Sequence, residues 1–352
     1  MPNPNNKDIA NSQNDALVFV TGGTGFVGSY LLRLLTREGW RVRALRRPGS
    51  PMDLVRDLSD QVEWVEGDVT DIVALEDAFK DVTHVCHCAA MVSFHPRDVR
   101  RMMQINVEGT ANLVNLALDF GVKKFIHVSS IAAIGRTKQQ SILDETSKWS
   151  QNKTTSQYAI SKHLSEQEVW RGHFEGLTTV IINPSVILGS GFWNNGSARF
   201  FRQIDQGLAF WPVGRSGFVD VRDVTAFMLG LLENETNGER YILNAQNIAY
   251  RDFFQLLANS LGAKQPSIKV TPLLAEIAWR VEWLKEKLLR IPPVVTKESA
   301  RASVSQFSYS NQKSLSIPGF EYQPLERTIQ ETAAQYLEAK LEGLPPKVLP
   351  LL

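Results

Sequence analysis

The segment Leu17–Gly39, LVFVTGGTGFVGSYLLRLLTREG, combines a short apolar run, a glycine-rich turn and an amphipathic helical pattern in direct succession. Glycine permits a tight turn and a close approach of the backbone to a pyrophosphate, which rests on the unpaired N–H groups of the helix N-terminus. This succession therefore predicts a dinucleotide-binding βα unit, and a tight turn without a ligand is the alternative. The candidate cofactor contacts in the turn are Gly22, Gly25, Phe26, Val27 and Gly28.

Strand-like and helix-like segments alternate through the rest of the first half of the chain. The longest helical patterns cover about Arg97–Phe120 and about Ser156–Phe174. Such alternation predicts βαβ units and an α/β fold, a doubly wound parallel Rossmann sheet. The predicted strands are Ala16–Gly22, Trp40–Arg46, Gln61–Val69, Val82–Ala90, Lys124–Ser130, Leu177–Pro184 and Glu239–Ala245.

The same patterns divide the chain into three parts. Residues 1–15 are polar and are expected to form a disordered tail. Residues 16–184, with about 218–245, are expected to form the NAD(P)-binding domain. Residues 185–217 and 246–345 are less regular, which predicts a smaller, mainly helical substrate domain over the carboxyl edge of the sheet.

Composition excludes several classes of protein. Among 352 residues, Lys and Arg total 38 and Asp and Glu total 37, so no nucleic-acid partner is expected. Cys86 and Cys88 are the two cysteines, too few for a disulfide framework. No apolar run reaches the roughly 18 residues of a membrane span, and the polar first residues lack a signal peptide. A cytoplasmic location is therefore expected.

The ends of the second and third predicted strands carry candidate nucleotide contacts. Arg46 and Arg47 stand where an acidic residue would bind the ribose of NAD, and paired guanidinium groups suit the 2′-phosphate of NADP. NADP is therefore favoured, with NAD as the alternative because arginine also stacks on adenine. Asp68 and Val69, in GDVTD, are placed to meet the adenine, although Asp68 would equally serve as the N-cap of the next helix.

A candidate catalytic group follows the fifth predicted strand. Tyr158 and Lys162 are four residues apart in YAISK, which places them on one face of a helix. A nearby ammonium group favours the phenolate and would lower the pKa of Tyr158 toward the range of a general acid. The fifth strand ends in Ser129–Ser130, where a hydroxyl would bind the substrate oxygen.

Together these motifs resemble those of the extended short-chain dehydrogenases/reductases, the superfamily of NAD(P)-dependent epimerases, dehydratases and reductases. The resemblance covers about Leu17–Leu337. It implies that Ser130, Tyr158 and Lys162 are the catalytic triad and that Asn106 is structural. The motifs that carry it are TGGTGFVG, GDVTD, CHCAA, NVEGT, HVSS, YAISK, INPSVILG and FVDVRDV. The resemblance further implies cofactor contacts at Ala89, Ala90, Pro184 and Val186.

The segment Asn183–Gly189, NPSVILG, resembles most the dihydroflavonol-reductase-like and 3β-hydroxysteroid-dehydrogenase-like branch. That branch implies hydride transfer between the nicotinamide and a carbonyl or secondary alcohol of a small to medium, rather apolar substrate. A nucleotide-sugar epimerase with tightly held NAD is the alternative, and a nucleotide-sensing protein without activity is a third. The family also implies a homodimer through the long helices after the fourth and fifth strands.

Several further residues have both a functional and a structural interpretation. Ser93, Phe94 and His95 are candidate pocket residues or a surface loop, Trp193 and Trp211 line a pocket or fill a core, and Asp220 and Asp223 are interpreted as structural caps. Strand alternation separates Cys86 and Cys88 from His87, so no metal site is expected. The amphipathic segment Leu273–Ile291 is expected to pack on the second domain, with a subunit interface or a membrane surface as the alternatives.

Overall fold

The computed structural model describes residues 16–136, 142–152, 154–290, 293 and 295–352. A sheet of seven strands forms its centre, and every pair of neighbours is parallel, in the order β7-β6-β5-β4-β1-β2-β3. This is the predicted doubly wound sheet. Its strands are β1 (Leu17–Thr21), β2 (Arg41–Arg46), β3 (Glu63–Glu66), β4 (His84–His87), β5 (Lys124–Val128), β6 (Thr179–Pro184) and β7 (Glu239–Leu243).

Helices cover both faces of the sheet because its strands are apolar on both sides. Val18 and Val20 face the helices α1 and α6, whereas Leu17 and Phe19 face α2, α4 and α5. Between α3 and α4 the helix continues through a π-helical turn, Gln104–Glu108. The helices of this layer are α1 (Phe26–Arg37), α2 (Ile72–Ala78), α3 (Val99–Met103), α4 (Gly109–Asp119), α5 (Gln157–Phe174) and α6 (Val221–Glu233).

A smaller unit lies beyond the carboxyl ends of the strands. Its core includes Phe218 stacked on Phe253, with ring centroids 4.2 Å apart. Trp193 and Trp211 pack at the edge of this core, which favours the core-filling interpretation of both. Its helices include α7 (Tyr250–Leu261), α8 (Pro272–Leu289) and α9 (Leu325–Glu342), with shorter ones at Arg199–Asp205 and Lys297–Ser303. The short helix Gln312–Leu315 packs instead on β7 of the main sheet. Short strands occur at Ile142–Leu143, Val186–Leu188, Phe210–Pro212, Arg215–Asp220, Gln246–Ala249, Ile268–Val270 and Ser308–Tyr309.

Residues 347–352 return to the first helix of the sheet. The amide of Leu349 donates to Tyr30 Oη at 2.7 Å, and Tyr30 Oη donates to the carbonyl of Ser190 at 2.8 Å. Both Tyr30 and Leu349 are buried, within a small apolar cluster of their own. Tyr30 in α1 is therefore hydrogen-bonded to a residue that lies 319 positions later in the sequence.

The amphipathic helix α8 differs from its expected packing. Its apolar face points to solvent, since Leu273 and Leu288 are 71% and 70% exposed and Ala275 is the buried residue of the helix. The expectation that this face packs on the second domain is therefore wrong, and Ile291 lies outside the described residues. Among the described helices, none is long and apolar enough to cross a bilayer.

Candidate active site

The glycine-rich turn joins β1 to α1, and backbone atoms leave no room for a side chain at Gly22 and Gly28. Gly22 has φ +71°, and a Cβ there would meet the amide nitrogen of Ala89 at 2.7 Å. A Cβ on Gly28 would lie 2.2 Å from the carbonyl oxygen of Gly22. Helix α1 begins after Gly25, where no side chain caps its first N–H groups. Such a helix start suits an anionic pyrophosphate, so the turn fits a dinucleotide.

The end of β4 is held against the end of β1 by a chain of hydrogen bonds. Thr110 Oγ1 donates to the carbonyl of Asn106 at 2.6 Å, so it accepts from His87 Nε2 at 3.0 Å. The other ring nitrogen, Nδ1, then accepts from Thr21 Oγ1 at 2.7 Å. The network thus assigns His87 a neutral ring protonated on Nε2. Ala89 and Ala90 follow β4 in the chain, and Ala90 is exposed.

Asn106 has the structural role that the resemblance implies. It lies in the π-helical turn, and its side chain bonds both the amide and the carbonyl of Met91, at 2.7 and 2.9 Å. Its Nδ2 also donates to Ser161 Oγ at 3.0 Å. Asn106 therefore fixes the segment after β4 against α5.

One guanidinium nitrogen of Arg46 is already paired in this structure. Its Nη2 donates to Glu66 Oε1 at 2.6 Å, across the β2–β3 pair in which the two residues are direct neighbours. Arg47 is exposed, and within the described residues its guanidinium forms no hydrogen bond or ion pair. The two arginines thus present one paired and one available cation beside the turn.

Asp68 does not cap the following helix. Its Oδ1 accepts from the amide and the hydroxyl of Thr70, at 3.0 and 2.8 Å, whereas Asp71 caps α2 by accepting from the amide of Ala74. The N-cap alternative for Asp68 is therefore wrong. Val69 is buried, with its side chain against Gly109 of α4.

Tyr158 and Ser130 lie together at the carboxyl end of β5. The Ser130 side chain lies close enough to the phenol of Tyr158 to lower the pKa of that phenol. Ser130 Oγ also accepts from the amide of Ala132 at 3.1 Å, which holds this hydroxyl in place. The ring of Phe94 meets that of Tyr158 edge-on, with centroids 5.8 Å apart. A substrate oxygen could reach both hydroxyls beside an apolar wall.

The expected effect of Lys162 on Tyr158 is absent here. Burial raises the pKa of Tyr158, and the nearby Ser130 side chain opposes this rise without reversing it. Lys162 Nζ instead donates to the carbonyl of Val128 at 2.9 Å. Burial lowers the pKa of Lys162 to about 8, although the charges of Glu166 and Cys88 oppose this. The lysine is thus held at the base of the site.

Glu166 is a buried residue that the sequence reasoning missed. It accepts from Ser129 Oγ at 2.5 Å and from Asn183 Nδ2 at 2.6 Å, and Arg240 Nη1 lies 3.2 Å away. Asn183 Nδ2 also donates to the carbonyl of Ser130 at 2.8 Å. The carboxylate therefore ties β5, β6 and β7 to α5, about two helical turns after Tyr158. Its i,i+4 spacing from Lys162 was the available signal.

His127 is a second buried residue, beside Lys162, that the sequence reasoning missed. Its Nε2 lies 3.4 Å from Lys162 Nζ, and its ring centroid lies 5.0 Å from that of His87. Burial holds the pKa of His127 well below its usual value, and the charges of Lys162 and His87 act in the same direction. Both histidines are thus neutral, which leaves Lys162 as the cation of this cluster.

The other candidate residues fall into two groups. His95 Nε2 lies 2.7 Å from Glu286 Oε1 of α8, and Ser93 Oγ donates to Asp98 Oδ2 at 2.7 Å, so these two shape the loop that carries Phe94. Pro184 ends β6, and Val186 begins the next short strand. These positions lie at the carboxyl edge, where a doubly wound sheet binds its ligand.

Asp220 and Asp223 are structural in different ways. Asp220 caps α6 by accepting from the amide of Arg222 at 2.7 Å, and it pairs with the guanidinium of the same arginine. Asp223 Oδ2 accepts from the amide of Gln323 at 3.0 Å, so it caps a loop and not its own helix.

Comparisons with known proteins agree with this geometry. The model of the NAD-dependent epimerase/dehydratase family matches residues 18–245. A putative dihydroflavonol 4-reductase of Synechocystis sp. is 31% identical over 327 residues, which cover 89% of this chain and 92% of that protein. Sterol demethylase protein B of Methylococcus capsulatus is 31% identical over 262 residues, 73% of this chain and 78% of that one.

Solved structures show the same likeness. The protein gox2253 is 31% identical and superposes with a TM-score of 0.78, over 92% of this chain and 98% of its own. A UDP-glucose 4-epimerase of Thermotoga maritima superposes with a TM-score of 0.75 over 92% of this chain and 99% of its own. At 22% identity, the second likeness shows the fold alone.

Proposed function

Because the chain belongs to the NAD-dependent epimerase/dehydratase family, within the extended short-chain dehydrogenases/reductases, we propose that it is an NADP-dependent carbonyl reductase or alcohol dehydrogenase. The observation that carries this proposal is the placement of the Tyr158 phenol beside the Ser130 side chain and the apolar ring of Phe94. The substrate is a small to medium, rather apolar carbonyl compound or its secondary alcohol. One of the two curated relatives that are 31% identical is, by its name, a putative reductase, and the match covers 92% of that protein.

A reduced nicotinamide, when bound, would supply the hydride for the carbonyl carbon of the substrate. Tyr158 donates its phenolic proton to the carbonyl oxygen, so the product gains one hydride and one proton and becomes an alcohol. Ser130 Oγ donates a hydrogen bond to the same oxygen and stabilises the negative charge that develops there. In the reverse direction, the phenolate of Tyr158 accepts the hydroxyl proton.

Lys162 is proposed to hold the ribose hydroxyls and to favour the phenolate. Its ammonium has three donors, and the carbonyl of Val128 takes one of them. His127 Nε2 lies 3.4 Å from the same nitrogen, so at least one donor remains for the ribose or for the Tyr158 side. Since burial raises the pKa of Tyr158 in this structure, a shift of the Lys162 donors toward the phenol is required when the enzyme is active.

The preference for NADP rests on Arg47 and on the part of Arg46 that Glu66 leaves available. Arg46 Nη2 is paired with Glu66, yet a phosphate with about two negative charges competes well with one carboxylate. The same pair supports the alternative, a nucleotide-sugar epimerase with tightly held NAD, because a guanidinium already neutralised has less to offer a 2′-phosphate. A homodimer through α3, α4 and α5 remains a prediction.

The first experiment is to denature the purified protein and to identify the released nucleotide by mass spectrometry. An empty protein, or one with exchangeable NADP, supports the reductase. Stoichiometric NAD that survives purification contradicts it and favours the epimerase. A panel of aldehydes and ketones with NADPH and NADH then tests turnover.

The triad is tested by Tyr158→Phe. Loss of a general acid is expected to lower kcat by about 10²–10⁴-fold and to leave nucleotide affinity unchanged. The matched control is Tyr336→Phe, because this tyrosine donates to Asp205 in the smaller unit and has no contact with the triad. Equal turnover of the two variants would exclude Tyr158 as the proton donor.

A further inference from the structure

Glu166 is a fully buried acidic residue on α5, the helix that also carries the candidate catalytic tyrosine and lysine. Its two carboxylate oxygens accept hydrogen bonds from three side chains. Ser129 Oγ and Asn183 Nδ2 donate to Oε1 at 2.5 and 2.6 Å, and Arg240 Nη1 donates to Oε2 at 3.2 Å. Since each of these groups can donate, the contacts suit a carboxylate that acts as an acceptor.

Two of these three donors lie on either side of Ser130. Ser129 precedes Ser130 in the chain, and its side chain is held by Glu166. Asn183 Nδ2 donates to the carbonyl oxygen of Ser130 at 2.8 Å in addition to its bond with Glu166. The backbone of Ser130 is therefore held before and after its Cα by groups that share one carboxylate.

The side chain of Asn183 depends on the same two contacts. An amide that faces a carbonyl oxygen and a carboxylate must present its NH₂ group to both, so the contacts fix its orientation. Asn183 is fully buried, and its Oδ1 accepts no hydrogen bond within the part of the chain that the structure describes. A change at Glu166 is therefore expected to reach the Ser130 carbonyl through this amide.

The contacts of Glu166 set Ser130 relative to the helix that holds Tyr158. The two α5 residues are separated by eight positions, or about 12 Å along the helix axis. Ser130 comes from the end of a strand, so its position beside Tyr158 depends on how that strand end is joined to α5. A hydroxyl that stabilises a developing charge has to be held within about 0.5 Å of its productive place.

We propose that Glu166 is a positioning residue, which through Ser129 and Asn183 fixes the backbone that carries the Ser130 hydroxyl beside Tyr158. This inference rests on the proposed function, in which Ser130 binds the substrate oxygen. Because that bond strengthens as charge develops on the oxygen, loss of Glu166 is expected to lower kcat and to leave KM and nucleotide affinity unchanged.

The test is a double-mutant cycle of Glu166→Gln and Ser130→Ala, with kcat measured for a carbonyl substrate and NADPH. We expect Glu166→Gln to lower kcat by about 10- to 100-fold in the wild type, as misplacement of a catalytic group by about 1 Å does. In the Ser130→Ala background the same change should lower kcat by less than about twofold. An equal loss in both backgrounds is the result of a merely structural role and overturns the proposal.

The cycle is run at about pH 6 to separate position from charge. Burial lowers the pKa of Lys162 to about 8, and the charge of Glu166 opposes this. Glu166→Gln therefore lowers the pKa of Lys162 further. At about pH 6 the ammonium group stays largely protonated in every variant, so a change in kcat does not report its loss.

The matched control is Asp205→Asn in the smaller unit. Asp205 also accepts from a hydroxyl, Tyr336 Oη at 2.8 Å, and pairs with a cation, Lys340 Nζ at 2.8 Å. We expect this variant to keep the kcat of the wild type, and a loss equal to that of Glu166→Gln overturns the proposal. If Glu166→Gln does not fold, Ser129→Ala replaces it in the cycle, with the same two outcomes.

Failure of the proposed function gives a different result, because the wild type would then reduce no compound in the carbonyl panel. Crystal structures of the wild type and of Glu166→Gln test the positioning in that case. A shift of Ser130 Oγ relative to Tyr158 Oη by more than about 0.5 Å supports the proposal. Unchanged positions of both hydroxyls overturn it.

Discussion

Removal of the ionisable group of Asp223 should stabilise the protein relative to the wild type, and this gain in stability should be larger at high pH than at low pH. Asp223 is 1% exposed, and burial, with the charge of Asp220, raises its pKa from 3.8 to about 7. The hydrogen bond from the amide of Gln323 lowers it by less. Asparagine keeps the acceptor for that amide and cannot ionise, so Asp223→Asn isolates the cost of the buried charge.

The sign follows from proton binding in the two states. Between the unfolded pKa of 3.8 and the folded value of about 7, the folded state holds the proton more tightly, so stability of the wild type falls as pH rises. The fall is about 1.4 kcal/mol per pH unit within this window and stops above it. The variant should therefore gain about 2–3 kcal/mol on the wild type between pH 5 and pH 8.

Urea unfolding of both proteins at pH 5, 6, 7 and 8 measures this difference, because contributions of all other titrating groups cancel in it. The matched control is Asp60→Asn, an exposed carboxylate for which no such pH dependence is expected. The reasoning fails if the stability difference between Asp223→Asn and the wild type is constant over this range, or if it decreases as pH rises.

Three further changes test the candidate site. Glu66→Gln should lower the Kd for NADPH by about three- to tenfold and leave that for NADH unchanged, since it releases Arg46 for the 2′-phosphate; nucleotide titration by fluorescence measures both, and an equal change for both would contradict the assignment. Glu166→Ala should lower the free energy of unfolding by about 3–5 kcal/mol because it leaves Arg240 without its carboxylate in a buried site, and Glu166→Gln by less, in urea titrations. Gly28→Ala should abolish nucleotide binding or folding. Gly230→Ala, in a helix with open space around it, should instead raise the free energy of unfolding by about 0.5–1 kcal/mol. Equal thermal stability of the two variants in calorimetry would refute the close packing at the turn.

The sheet and the glycine-rich turn were predictable because their signals are local. Alternation of strand and helix patterns depends on neighbouring residues, and the turn needs glycine wherever a Cβ would meet backbone, as at Gly28. The face assignments of Cys86 and His87 followed in the same way from the two-residue period of a strand.

Other features depend on residues that are distant in sequence. Arg46 meets Glu66 because β2 and β3 pair in that register, which a single strand pattern does not specify. Glu166 gathers side chains from three strands, so its partners could not be read from α5. Amphipathicity located the apolar face of α8 but did not state its partner, and the structure turns that face outward.

The contact between Tyr30 and Leu349 also sets a time order for folding in the cell. The two residues are 319 positions apart, and synthesis at roughly 5–20 residues per second separates them by about 16–64 s. During that interval the first helix of the sheet still lacks the amide of Leu349 as a partner for Tyr30. Nascent chains stalled before residue 347 should therefore be more sensitive to protease at α1 than released chains, and they offer chaperones a defined surface to hold.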